Sequence, residues 1–213
     1  MPSASNGTFL VELTLDGAVG HAIYKPGRGE RPLWDFPPAL FRREVAAYLL
    51  SEALGWGIVP LTIERDDGPF GEGSLQSFVP ADFVQHYFTL RADAAHHDRL
   101  KKICVFDLLA NNADRKSGHC LVGAGGVFAI DNGLTFHVDP KLRTVIWDFG
   151  GEPIPDALLK DVRRLVDHAL PDALMSLLAP VERDALRRRG RALVAAGTFP
   201  EDRSGMRYPW PLV

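Results

Sequence analysis

The spacing of apolar residues changes once along the chain, near residue 80, and that change limits the folds open to it. Before it the pattern is mainly of period two. Phe9, Val11, Leu13 and Leu15 alternate along residues 8–15 as one face of a strand. Asp16-Gly17 is a tight hairpin signal, and residues 20–24 read as the return strand, ending on Lys25. A Gly- and Pro-rich loop over residues 26–38 leads to a helix over 40–55, with Phe41, Val45, Tyr48, Leu49 and Ala53 on one face and Gly55 at its end. Two more strands are expected over residues 58–64 and 73–80, joined by a turn at 66–69. After residue 80 helical spacing takes over. A helix is expected over residues 98–109, then a polar stretch, then two short strands over 119–122 and 127–130 around Gly123-Ala124-Gly125-Gly126. Amphipathic helices follow over 155–168 and 171–197, and an irregular but docked tail over 200–213. The expected class is α+β in two compact lobes, a β-rich N-lobe over residues 1–80 and a mostly helical C-lobe over 81–213, with a hinge near residue 80.

A chain of 213 residues can bury a core as one domain or two joined lobes. The net charge of −3 argues against a nucleic-acid partner, because binding a phosphate backbone needs a basic surface. Cys104 and Cys120 are far apart without further cysteines, which gives neither a disulfide framework nor a zinc site. The first residues lack a basic stretch followed by an apolar one, and no apolar run approaches the roughly 20 residues of a spanning helix. The expectation is a cytoplasmic protein without a transmembrane segment.

Four side chains fall where phosphoryl transfer would need them. That chemistry requires a cation on the nucleotide phosphates, a carboxylate to hold that cation, a carboxylate to orient the attacking hydroxyl, and another for a metal ion. Lys25 ends a strand, and Glu44 lies on the next helix. Asp114 sits in Asn112-Ala113-Asp114-Arg115 after an apolar helix, and Asp131 follows a strand and precedes Asn132-Gly133. Each alone has a plainer reading. Lys and Glu are usually solvated surface residues, and both aspartates sit in turn-forming sequence. Their order, with a hairpin between the two aspartates, is what favours the chemical reading.

At these residues the chain resembles the phosphatidylinositol 3-/4-kinase-like superfamily, most closely type II phosphatidylinositol 4-kinases and small actinobacterial proteins similar to them, and more distantly HipA-type and secretory-pathway kinases. The matching text is Tyr24-Lys25-Pro26, Arg43-Glu44-Val45-Ala46-Ala47-Tyr48-Leu49, Gly57-Ile58-Val59-Pro60, Asn112-Ala113-Asp114-Arg115 and Ala129-Ile130-Asp131-Asn132-Gly133-Leu134-Thr135-Phe136, across residues 5–140. The resemblance implies a two-lobed kinase-like fold that uses ATP with Mg²⁺, or Mn²⁺ in its place. It implies that Lys25 contacts the phosphates, Glu44 pairs with Lys25, Asp114 is the catalytic-loop aspartate and Asp131 binds metal. Ser5, Asn6, Gly7 and Thr8 would cover the phosphates, and Gln76, Ser77, Phe78 and Val79 would hydrogen-bond adenine through the backbone. His119 departs from the pattern, standing where such kinases carry a second metal-binding asparagine. An imidazole is a poorer Mg²⁺ ligand than an oxygen, so a catalytically weak nucleotide-binding pseudokinase stays open beside an active kinase. The cysteine-rich lipidated segment of the lipid enzymes is absent too, as is a recognisable basic lipid-binding loop after Asp131. A protein Ser/Thr acceptor, the chain itself included, is therefore favoured over a lipid or small molecule. Transfer of AMP is a third reading.

Other features are expected to be structural. His96-His97-Asp98 reads as a solvated loop, residues 183–191 as a solvated arginine-rich helix face, and Trp34, Trp56, Trp147 and Trp210 as packing residues. The literal Asp-Phe-Gly at 148–150 lies beyond the hairpin that would present a metal ligand, and reads as coincidence.

Overall fold

The computed structural model describes residues 7–213. Strand β1 (Phe9–Leu15) pairs antiparallel with β2 (Ala18–Pro26). Leu15 faces Ala18, so the loop has only two residues, Asp16 and Gly17, both at positive φ as such a turn requires. Helix α1 (Leu40–Leu54) follows and stops at Gly55, whose φ of 73° is the left-handed cap that glycine adopts without strain. β3 (Thr62–Gly68) and β4 (Gly71–Ser77) close a four-stranded sheet of order β1-β2-β4-β3.

The remaining chain is mostly helical: α2 (Tyr87–Leu90), α3 (His97–Ala110), the hairpin β5 (Cys120–Gly123) and β6 (Gly126–Ala129), then α4 (Asp156–Asp167), α5 (Asp172–Leu177) and α6 (Pro180–Ala196). The protein is thus α+β, with a β-rich N-terminal region and a mostly helical C-terminal one. Among the described residues no helix is long and apolar enough to cross a membrane.

The main core runs from α1 through α3 to α4–α6. Leu100, Ile103, Val105, Phe106, Leu109 and Ala110 of α3 are fully buried. Each large apolar side chain among them contributes about 1.5–3 kcal/mol relative to exposure. The sheet has a much smaller core of Ala22, Tyr24 and Leu75, and Phe9, Leu13, Leu15, Ile63 and Phe70 stay exposed around it.

Several boundaries differ from the sequence expectation. No strand forms at residues 58–61. The Ser51 hydroxyl accepts from the Ile58 and Val59 amides, which diverts that segment from sheet pairing, and β3 begins at Thr62. β3 continues through the expected turn at 66–68, and the chain reverses at Pro69-Phe70. The helix expected over 171–197 is two, because Leu178 and Ala179 are extended and Pro180 opens α6. His119 lies in a single 3₁₀ turn, Ser117–His119, ahead of β5, and α2 has no counterpart in the sequence reading.

The tail is docked. The Arg207 carbonyl accepts from the Thr144 amide at 3.0 Å, and the Leu212 carbonyl accepts from the Ser117 amide at 2.8 Å. Of the four tryptophans expected to pack, Trp56 is buried, but Trp34 and Trp210 are 93% and 87% exposed. Lys141 lies over the Trp34 ring, 5.3 Å from its centroid.

Candidate active site

A cleft of about 470 Å³ opens between the sheet and the C-terminal region. Thr8, Ile23, Lys25 and Gln76 line it from the sheet side, Phe78, Val79 and Phe83 from the connecting segment, and His119, Leu121, Ile130 and Asp131 from the far side.

The alternation of β2 explains its upper wall. Tyr24 turns into the small core, so its neighbours Ile23 and Lys25 face the cleft. The Lys25 ammonium pairs with Glu44 of α1 and with Asp131 Oδ1, the latter at 2.7 Å. Glu44 is 3% exposed, and its other oxygen accepts from the Asn132 amide at 2.8 Å. One buried carboxylate therefore links the lysine strand to the loop after β6. Burial alone would lower the Lys25 pKa, but Asp131 and Glu44 outweigh it, and the net shift is upward. Lys25 in turn holds the Asp131 carboxyl well below the usual carboxylate range, against the opposing effect of burial.

Asp131 has φ of 56°, the left-handed region that aspartate tolerates better than most residues. The turn points Asp131 at the cleft and sends Asn132 into the core, where its side-chain oxygen accepts from Arg115.

Arg115 organises the opposite loop, and sequence reasoning gave it no role. It is completely buried and paired with the equally buried Asp107 in the last turn of α3. The same guanidinium donates to the Ile130 carbonyl and to Asn132 Oδ1, both at 2.6 Å. Asn112 donates to Asp107 and accepts from the Asp114 amide, which sets the bend at Asp114. The end of α3, the Asp114 loop and the Asp131 loop are thus joined through one cation. A buried charge of this kind must be fully paired to be tolerated. Its one sequence signal is a charged pair, Asp107 and Arg115, bracketing a loop.

Asp114 and Glu44 are not among the residues that line the cleft. Lys116 Nζ lies 3.1 Å from Asp114 Oδ2. Burial raises the Asp114 pKa, and Lys116 opposes it. His119 Nε2 lies 3.3 Å from Asp131 Oδ2. Burial pushes the imidazole pKa down to about 4, with the Asp131 charge pulling the other way, so the ring is neutral at pH 7. With its proton on Nδ1, His119 donates to the Asp114 carbonyl at 2.9 Å and turns the Nε2 lone pair to Asp131. With the proton on Nε2 it accepts at Nδ1 from the Lys116 amide at 3.3 Å, and Nε2 lies 3.3 Å from Asp131 Oδ2.

Among the described residues no three metal-ligating side chains converge. Asp131 and the first His119 tautomer provide one carboxylate oxygen and one imidazole nitrogen. That fits a divalent ion that takes its remaining oxygens from nucleotide and water, and does not fit a resident structural metal.

Ser5 and Asn6 lie outside the described residues. Gly7 does not line the cleft, and its amide donates to the Gly29 carbonyl at 3.1 Å, whereas Thr8 reaches the cleft wall. Gln76, Ser77, Phe78 and Val79 all line the cleft, but the Ser77 and Phe78 amides already donate to Leu61 and His21. Outside the cleft, Asp148 is held by Tyr87 and Arg91. In the arginine-rich helix face, Arg189 donates to the Leu109 carbonyl at the end of α3 at 2.7 Å.

No family model matches the sequence. The chain is 44% identical over 247 aligned residues to protein Rv2133c of Mycobacterium tuberculosis, covering 98% of this chain and 88% of that one. Two solved structures share its fold. A hydra Fam20 structure with sugar matches with a TM-score of 0.50 at 15% identity, over 91% of this chain and 81% of that one. The Helicobacter pylori proinflammatory kinase CtkA matches with a TM-score of 0.50 at 12% identity, over 92% and 90%. The fold is kinase-like.

Proposed function

From the premise that this chain belongs to the family of Mycobacterium tuberculosis protein Rv2133c and carries a kinase-like fold, we propose that it is an ATP-dependent phosphotransferase that moves the γ-phosphate to a hydroxyl acceptor. The observation that carries this reading is the Lys25 ammonium at the cleft wall, held between Glu44 and Asp131. A cation so placed meets the phosphates of a nucleotide whose base lies between Ile23 and Leu121. The resemblance to the phosphatidylinositol 3-/4-kinase-like superfamily supports the same assignment, with an N-lobe over residues 1–80 and a C-lobe over 81–213.

In this reading the acceptor hydroxyl attacks the γ-phosphorus, the bond from that phosphorus to the β–γ bridging oxygen breaks, and ADP leaves. Asp114 accepts the hydroxyl proton, a role suited to a carboxylate whose burial raises its affinity for a proton. Lys116 beside it offsets charge on the transferring group. Asp131, with His119 Nε2, would hold Mg²⁺ or Mn²⁺, which supplies charge neutralisation on the phosphates. A protein Ser/Thr, this chain included, is the favoured acceptor over a lipid, and the cytoplasm the favoured compartment.

Asp114→Ala and Asp131→Ala are each expected to lower transfer of label from γ-³²P-ATP by about a hundredfold or more. Unchanged transfer in either variant overturns the assignment. His119 favours a second reading, a nucleotide-binding pseudokinase, because an imidazole is a poorer Mg²⁺ ligand than an oxygen and its Nε2 lies 3.3 Å from Asp131. Calorimetry that finds ATP and Mg²⁺ binding, without transfer to protein, lipid or water, supports that one.

A further inference from the structure

We propose that the Gln76 side chain reads position 6 of the purine and restricts the cleft to a 6-amino base. This deepens the proposed function and rests on its nucleotide-binding cleft.

Gln76 lies next to last in β4, opposite Ile23 of β2 and Thr62 of β3, on the sheet face that also carries Lys25. It is 6% exposed and lines the cleft. Its carboxamide orientation is fixed by a relay. The Thr62 hydroxyl donates to the Pro60 carbonyl at 2.8 Å, which uses its only proton. Thr62 Oγ1 must then accept from Gln76, and the group 2.9 Å away is Nε2. The amide oxygen is left over.

No donor among the described residues reaches Gln76 Oε1, and it is absent from the side-chain atoms both buried and unpartnered there. It is therefore open, and the open side of Gln76 is the cleft. The back wall presents an acceptor that cannot turn into a donor while Thr62 holds the other end.

Adenine carries an amino donor at position 6, and hypoxanthine and guanine carry an acceptor oxygen there. An acceptor facing an acceptor loses the hydrogen bond and leaves both groups desolvated. The Ser77 and Phe78 amides are engaged, and of the three only the Val79 amide makes no hydrogen bond among the described residues.

ATP and ITP differ at position 6 and at the N1 proton that accompanies it, so calorimetric titration of the full chain with each, in Mg²⁺, tests the idea. The expected result is ATP binding tighter than ITP by about tenfold or more. Thr62→Val frees the carboxamide to rotate, and is expected to tighten ITP and bring the ratio to about twofold or less. A general packing defect would not produce such a gain. Thr62→Ser keeps the relay and should keep the ratio. Wild-type binding of ATP and ITP within about twofold overturns the role of Gln76 and leaves the nucleotide cleft standing. A ratio unmoved by Thr62→Val overturns the orientation relay and the proposal with it. Binding of neither nucleotide overturns the cleft reading on which the proposal rests.

Discussion

His119 couples the site to pH through its own folding. Its pKa falls from 6.5 to about 4 in the folded chain, chiefly through burial. Between those values the unfolded chain binds the extra proton and the folded one does not, so stability rises with pH across that window. Its contribution is full above about pH 6.5 and lost as the pH falls toward 4. Thermal melts across that range should show a falling Tm, and His119→Asn should flatten the slope. The Asp131 carboxyl is held below its usual range, so its contribution is lost only in stronger acid. At this scale the sequence singled out Asp114 and Asp131 only by their order after Lys25 and Glu44, since aspartate is ordinary in turns. It was silent for Arg115, because an arginine next to an aspartate reads as solvated until the fold places Asp107 and Asn132 around it.

Secondary elements were legible where composition and spacing agreed. The Asp16-Gly17 hairpin and α1 with Gly55 follow from local chemistry alone. What escaped was set mostly at a distance, Pro180 being the local exception. The strand expected at residue 58 was removed by one hydroxyl on α1. The helix expected to run through residue 179 was broken because Pro180 is tolerated only as the opening of a helix. The contact of α4 with α6 is another such case. A Cβ added at Gly190 would stand 2.4 Å from Val166 Cγ1 and 3.3 Å from Leu109 Cδ2. Gly190→Ala gains about 1 kcal/mol of helix propensity. The overlap lies inside a packed core and costs about 1–3 kcal/mol, and the 2.4 Å approach puts it at the upper end. Urea unfolding should report a net loss of about 1–2 kcal/mol by that difference, and an unchanged or higher midpoint would show that α4 moves aside freely.

Across the whole molecule, Arg43 is one of several arginines that span the two regions, with Arg99 and Arg164. Arg43 of α1 is 6% exposed, donates to the Thr135 carbonyl and pairs with Glu182 of α6 at 2.6 Å. Its neighbour Glu44 holds Lys25. The position of α1, and with it the Lys25–Glu44 pair, is thereby referred to the far end of the C-terminal region. Arg43→Met keeps the stem but removes the cation from the partly buried Glu182 and the donor from the Thr135 carbonyl, and should cost about 1–3 kcal/mol in denaturant melts. Adding Glu182→Leu should recover part of that loss. A double variant no more stable than the single one would show that Glu182 is not the group left stranded.

The docked tail sets an order of events during synthesis. Chains fold from the end that emerges first, and Asp114 leaves the ribosome well before Arg207 and Leu212. Yet the Thr144 and Ser117 amides beside it find their acceptors only in those late residues. A nascent chain can therefore collapse around α3 and join the Asp114 loop to it through Arg115 and Asp107 before Ser117 and Thr144 gain the acceptors that Leu212 and Arg207 supply.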